Sequence, residues 1–135
     1  MKNRKIIALG LVLVFFTLVA GIVFADEYWI SYGTYTRDDG ETRQGHSGRG
    51  TYQNDPSGVD RKNEGPIPHG TYILRYIGNT INLGPDVVEC IPSGDNIMYG
   101  RSGFYIHGGT RSDGCIIIND PTFRRSLDGH TLTVR

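Results

Sequence analysis

The chain is short of cysteine: it has two, Cys90 and Cys115, in 135 residues. No metal-binding spacing surrounds them. There is no C-x-x-C, no H-E-x-x-H and no third well-spaced ligand, so no metal and no cofactor is expected. Repeats and low-complexity segments are also missing, which sets aside solenoids and compositionally biased linkers. From residue 26 onward no long apolar stripe recurs at the 3.6-residue period of a helix, which argues against a helical bundle. Positive charge is scarce as well. Three of the 14 basic residues fall within residues 1–5, leaving 11 against 14 acidic ones over residues 26–135, a formal charge of −3. No basic stripe survives, and no nucleic-acid partner is expected.

One long apolar run is present. Residues 6–24, IIALGLVLVFFTLVAGIVF, follow the basic MKNRK and precede small residues at Val23-Phe24-Ala25. This pattern reads as an export signal over residues 1–25 cut after Ala25, or as an uncleaved N-terminal membrane anchor through residues 6–24. In both readings residues 26–135 lie outside the cytoplasm, in the periplasm, at the outer face of the inner membrane or beyond the cell. That part is long enough for one domain with its own core, and its size suggests a monomer.

Short alternating runs bounded by Gly, Pro, Asn and Asp dominate residues 26–135, which predicts a mostly β fold of sandwich or barrel type. Strands are expected over 27–36, 70–77, 86–91, 103–108, 114–118 and 130–135. One short helix is expected after Asp120, with Pro121 in its first turn and an end near Leu127 before Gly129. Residues 37–66 are polar with few apolar anchors. They read as a linker or as a surface loop over a groove, with part of the segment pairing as a short hairpin. "GPIPHG" reads as a rigid turn set by Pro66 and Pro68. His46, His69 and His130 are expected at the surface.

The chemistry concentrates in "HGGTRSDGCIII", residues 107–118. His107 ends the alternating run "GFYIHG" on the same face as Tyr105, and Cys115 opens "CIII". Antiparallel pairing of the two runs would set His107 opposite Cys115, with Cβ atoms about 5 Å apart. An imidazole there takes the thiol's proton and returns it to a leaving amine. Gly114 lets a substrate carbonyl approach, and the N–H groups of Gly114 and Cys115 offer an oxyanion hole. Ser112 donates a further hydrogen bond or holds the loop, while Asp113 or a backbone carbonyl orients His107. Arg101 and Arg111 flank the site as candidate carboxylate clamps, and Tyr105 as a groove wall. The plain alternative in an exported protein is a Cys90–Cys115 disulfide. The domain would then be a non-catalytic or redox-gated binder of the cell envelope.

Three segments in this order, "NEGPIPHGTYIL" (63–74), "MYGRSGFYIHG" (98–108) and "SDGCIII" (112–118), resemble the L,D-transpeptidase (YkuD-type) cysteine enzymes of the bacterial cell wall. The likeness is closer to a subgroup of type VI secretion effectors with L,D-transpeptidase and L,D-carboxypeptidase activity, and "SGRGTYQND" (47–55) extends it. It covers roughly residues 47–135. The resemblance implies an L,D-transpeptidase-like β-sandwich with Cys115 as nucleophile and His107 as base. Ser112 and Gly114 then belong to the nucleophile loop, and Gly108 follows the histidine. It further implies a peptidoglycan stem tetrapeptide as substrate, attacked at the carbonyl of its third residue. A thioester would form and pass to water, an amine or a D-amino acid. The sequence departs from the subgroup in a short His-to-Cys loop and in Cys90, which occupies an ordinary apolar strand position.

Overall fold

A computed structural model describes residues 24–135. The expected export signal or anchor lies outside the described residues except for Phe24 and Ala25.

The fold is mostly β, with nine strands in one sheet and one short helix among the described residues. In chain order the strands are β1 (Asp26–Trp29), β2 (Thr34–Thr36), β3 (Thr42–Gln44), β4 (His46–Ser47), β5 (Gly70–Thr80), β6 (Gly84–Pro92), β7 (Tyr105–His107), β8 (Ile116–Ile117) and β9 (Thr131–Val134). Helix α1 spans Pro121–Arg125. The sheet order is β3-β2-β1-β9-β5-β6-β7-β8-β4. Two pairs are parallel, β1 with β9 and β7 with β8.

The two ends of this order, β3 and β4, are separated in sequence by Gly45 alone. The sheet must therefore curl until its edges nearly meet, giving a barrel-like sandwich without long free edges. Gly45 makes the closure. Its N–H donates to the Gly33 carbonyl at 2.7 Å. A Cβ at residue 45 would lie 2.1 Å from the Ile117 carbonyl oxygen.

Alternation along the strands fills the interior. Tyr28, Tyr35, Tyr72, Leu74, Val88, Ile106, Ile116 and Leu132 are all but inaccessible to solvent. Helix α1 adds Phe123, followed by Leu127. Asp120 caps α1, accepting from the Phe123 N–H at 3.0 Å, and also holds Arg43 Nε at 2.8 Å. The expected strand over 27–36 is two strands, because Gly33 closes a tight turn by donating to the Trp29 carbonyl at 2.9 Å. Part of the polar 37–66 stretch pairs as β3 and β4. The remainder is ordered by short 3-10 turns, one of them capped by Asp55.

Asp26 is a charged residue buried at the start of β1. Its carboxylate accepts from the Tyr35 hydroxyl at 2.5 Å, the Asp38 N–H at 2.8 Å and His130 Nδ1 at 2.9 Å. A buried carboxylate needs such partners to remain charged. His130 is thus half-buried, not the surface residue expected, whereas His69 is exposed.

Gly45→Ala tests the closure. The methyl group would meet backbone, which cannot rotate away, so a loss of about 1–3 kcal/mol is expected. A urea midpoint equal to that of the unsubstituted protein, at unchanged slope, would mean that residue 45 is not held against the Ile117 carbonyl of β8 in solution.

Candidate active site

Strands β7 and β8 pair in parallel, with Ile106 beside Ile116 and His107 beside Ile117. The antiparallel arrangement expected from the sequence is not the one adopted. Residues 108–115 do not form a hairpin but run back alongside β7. That strand is only three residues long, about 10 Å, and eight residues span the return with slack. Continuing the register by one residue sets Tyr105, not His107, beside Cys115. His107 and Cys115 are then diagonal neighbours on one face, with Cα atoms on the order of 7–8 Å apart. Both line a single cavity of about 670 Å³, together with Tyr105, Arg111 and the tip of the β5–β6 hairpin at Ile81. The hairpin tip was not foreseen. The register slips at Gly78, and such bulges bend a ribbon, here over the site.

His107 sits in an apolar row. Its neighbour on β8 is Ile117, and the β6 register carries Val87 to its other side; both are buried. His46 follows on β4, next to Ile117, with Nε2 3.0 Å from the Thr110 carbonyl. His46 thus stands near the site rather than on a remote surface. Burial pushes the His107 imidazole below its ordinary pKa, and the Arg124 and His46 charges act in the same direction. Nδ1 lies 2.7 Å from the Gly108 carbonyl. A carbonyl only accepts, so Nδ1 carries the proton and Nε2 keeps a free lone pair. The orienting group is this carbonyl. Asp113 instead pairs with Arg49 at 3.0 Å and Arg111 at 3.2 Å.

Cys115 is half-buried. Burial pushes its thiol up to about 11, with the Tyr105 backbone N–H acting in the opposite direction. Cys115 and His107 therefore rest as neutral thiol and neutral imidazole.

The loop carrying Cys115 is tied at Ser112. The Ser112 hydroxyl oxygen accepts from the Gly48 N–H at 2.9 Å and the Gly114 N–H at 3.1 Å, and its proton goes to the Cys115 carbonyl at 2.5 Å. The Gly114 N–H, expected as an oxyanion donor, is already engaged by Ser112. Gly114 has φ of +143°, and a Cβ there would lie 2.6 Å from Arg101 Nη2. Its carbonyl accepts from the Ser47 hydroxyl at 2.8 Å, and Ser47 Oγ accepts from the Ile67 N–H at 2.9 Å. Ser47 and Gly48 belong to the polar stretch whose role the sequence left open.

Arg101 was expected to clamp a substrate carboxylate. It is buried, and its guanidinium donates to the carbonyls of Val59, Pro66, Gly65 and Asp113 at 2.5–3.3 Å. It braces the 59–66 segment against the loop that carries Cys115. Arg111 is exposed on the cavity wall and remains open to a ligand. Both cysteines are free thiols. Cys90 faces the core from β6, while Cys115 faces outward beyond β7. Two strand spacings, about 9.5 Å, separate them, more than the roughly 7 Å a disulfide spans. The disulfide-bonded binder therefore does not fit this fold. Among the described residues Asp26, Asp38 and His130 bring potential metal-ligand atoms within 4.8 Å of one another, but the Asp26 oxygens already serve the hydrogen bonds given above.

No curated protein matches the chain. The model of the Tlde1 domain matches residues 41–131, about two thirds of the sequence, including β3 to β8, the Ser112 tie, His107 and Cys115. The chain belongs to the Tlde1 domain family, the type VI secretion effector domains of L,D-transpeptidase-like kind.

Proposed function

We propose that this domain is a peptidoglycan-modifying cysteine acyltransferase or peptidase that acts on stem tetrapeptides. The observation that carries the reading is that Cys115 and His107 share one cavity on one face of the sheet, with His107 Nε2 left free by the Nδ1 bond to Gly108. The Cys115 sulfur attacks the carbonyl of the third, diamino-acid residue as its proton passes to Nε2. The C–N bond to the terminal D-Ala breaks, and His107 returns the proton to the departing amine. The product is a thioester on Cys115. Water, an amine from a second stem or a free D-amino acid then adds to it, giving its proton to His107, and the thiol is restored. Arg111, exposed on the cavity wall, would hold the carboxylate of the departing residue. The proposed place of action is the cell envelope outside the cytoplasm, reached through residues 1–25 as a cleaved signal or with residues 6–24 kept as an anchor.

A thioester adduct and released D-Ala are expected when the full-length chain meets a tetrapeptide muropeptide, as read by intact mass. Cys115→Ala should give neither; D-Ala released by that variant would end the proposal.

The resting protonation states set the pH profile. His107 works as a base only when neutral, and its pKa lies below the ordinary 6.5, so acyl-enzyme formation is lost only as pH falls below that value. Burial pushes the thiol up to about 11, so a plateau should extend from neutral pH up toward it. His107→Ala should lose about 10²–10⁴-fold on the plateau and instead gain rate steadily with pH as thiolate forms. A bell centred near pH 7 would mean a thiolate–imidazolium pair and refute the neutral pair.

A further inference from the structure

Cys115 stands on a ridge between two cavities. The larger contains His107. The smaller, about 220 Å³, opens on the other flank of the thiol and lacks it. Gly103, Asp113 and Cys115 line both. The chemistry gives the two cavities different halves of the substrate. His107 must reach the departing nitrogen, so the departing residue and the later acyl acceptor occupy the larger cavity. The acyl half then lies across the sulfur, against the smaller one.

A volume of 220 Å³ is too small for a stem peptide, but it admits the end of one side chain. On its wall is Lys62, the single lysine among the described residues, with Asn63 and Ser102 beside it. Asp113, the carboxylate shared by the two cavities, is already held between Arg49 and Arg111 and does not neutralise Lys62. Arg101 adds a second positive charge behind the same wall, its N–H groups turned to carbonyls. The cavity thus offers a free ammonium and short polar groups to an anion of side-chain size.

We propose that the smaller cavity binds the carboxylate at the far end of the acyl donor's third-residue side chain, and that Lys62 is the residue that recognises it. The inference rests on the thioester reading above. Diaminopimelate ends in such a carboxylate, whereas lysine, or diaminopimelate amidated at that end, does not. The domain should therefore distinguish stems by this one group.

The test compares acylation of the full-length protein by tetrapeptide stems with a free or an amidated diaminopimelate side-chain carboxylate. The free acid should react with about tenfold higher kcat/KM, the size expected for one charge-assisted contact. Lys62→Met should bring that ratio close to one, and Lys62→Arg should restore most of it. An unchanged ratio in Lys62→Met, or no preference in the unsubstituted protein, overturns the assignment. Binding of the same two stems to Cys115→Ala keeps the two proposals apart. A Lys62-dependent preference in binding, with no acyl-enzyme in the unsubstituted protein, supports the carboxylate site and refutes the thioester. An acyl-enzyme formed without preference does the reverse.

Discussion

The site depends on one hydroxyl. Ser112 Oγ is buried and fully used, accepting from Gly48 and Gly114 and donating to the Cys115 carbonyl. These contacts hold Gly114 at a φ that a side chain would resist, and so aim the next residue outward. Gly48 follows directly on β4, so the same atom ties the nucleophile loop to the strand that closes the sheet. Ser47 repeats the device from the opposite side, joining Gly114 to Ile67. Arg101 completes it by gathering the carbonyls of 59–66 under the loop. Barrel closure and thiol placement are therefore one structural problem. A loss at Ser47, Ser112 or Arg101 would leave buried polar groups without partners as well as misdirecting the sulfur.

Much of this was legible in the sequence, and the reasons differ from part to part. Alternation of apolar and polar residues located the strands because side-chain direction reverses at every residue of a strand, whichever way its neighbour runs. For the same reason it put Tyr105 and His107 on one face. The short helix was legible from Asp120 and Pro121, whose roles are local. Alternation carries no information on whether neighbouring strands run parallel or antiparallel. Hence the pairing of β7 with β8 was misjudged, and with it the residue beside Cys115.

The polar stretch 37–66 was hard to read for another reason. It contributes few buried apolar side chains, Val59 among them, and is fixed mainly by hydrogen bonds to residues distant in sequence, such as Ser112 and Arg101. No local pattern announces such a bond. Arginine misleads in the same way. Near a presumed site its charge suggests a ligand clamp, yet five donors in a planar fork also suit the collection of backbone carbonyls. Arg101 and Arg124 both do this. Arg124 holds the carbonyls of Asp86 and Ile118, and a Cβ added at Gly108 would lie 3.2 Å from its Nη1.

Burial gives the thiol of Cys115 and the imidazole of His107 a common character. The row of Val87, His107 and Ile117 keeps water from the imidazole and keeps it neutral, which suits a base. The walls around Cys115 keep the thiol protonated, which does not suit a nucleophile. These effects oppose each other only while the thiol is considered alone. A thiolate is the form that oxidants and stray electrophiles attack, so a thiol that burial pushes up to about 11 is shielded from both. The cost is that sulfur becomes nucleophilic only as its proton leaves, and in the proposed reaction Nε2 on the same face is the acceptor for it. Desolvation thus links protection of the sulfur to dependence on the imidazole. In the proposed reaction, a substrate that fills the cavity and brings a carbonyl to the thiol supplies the occasion for transfer, and an empty cavity leaves both groups neutral.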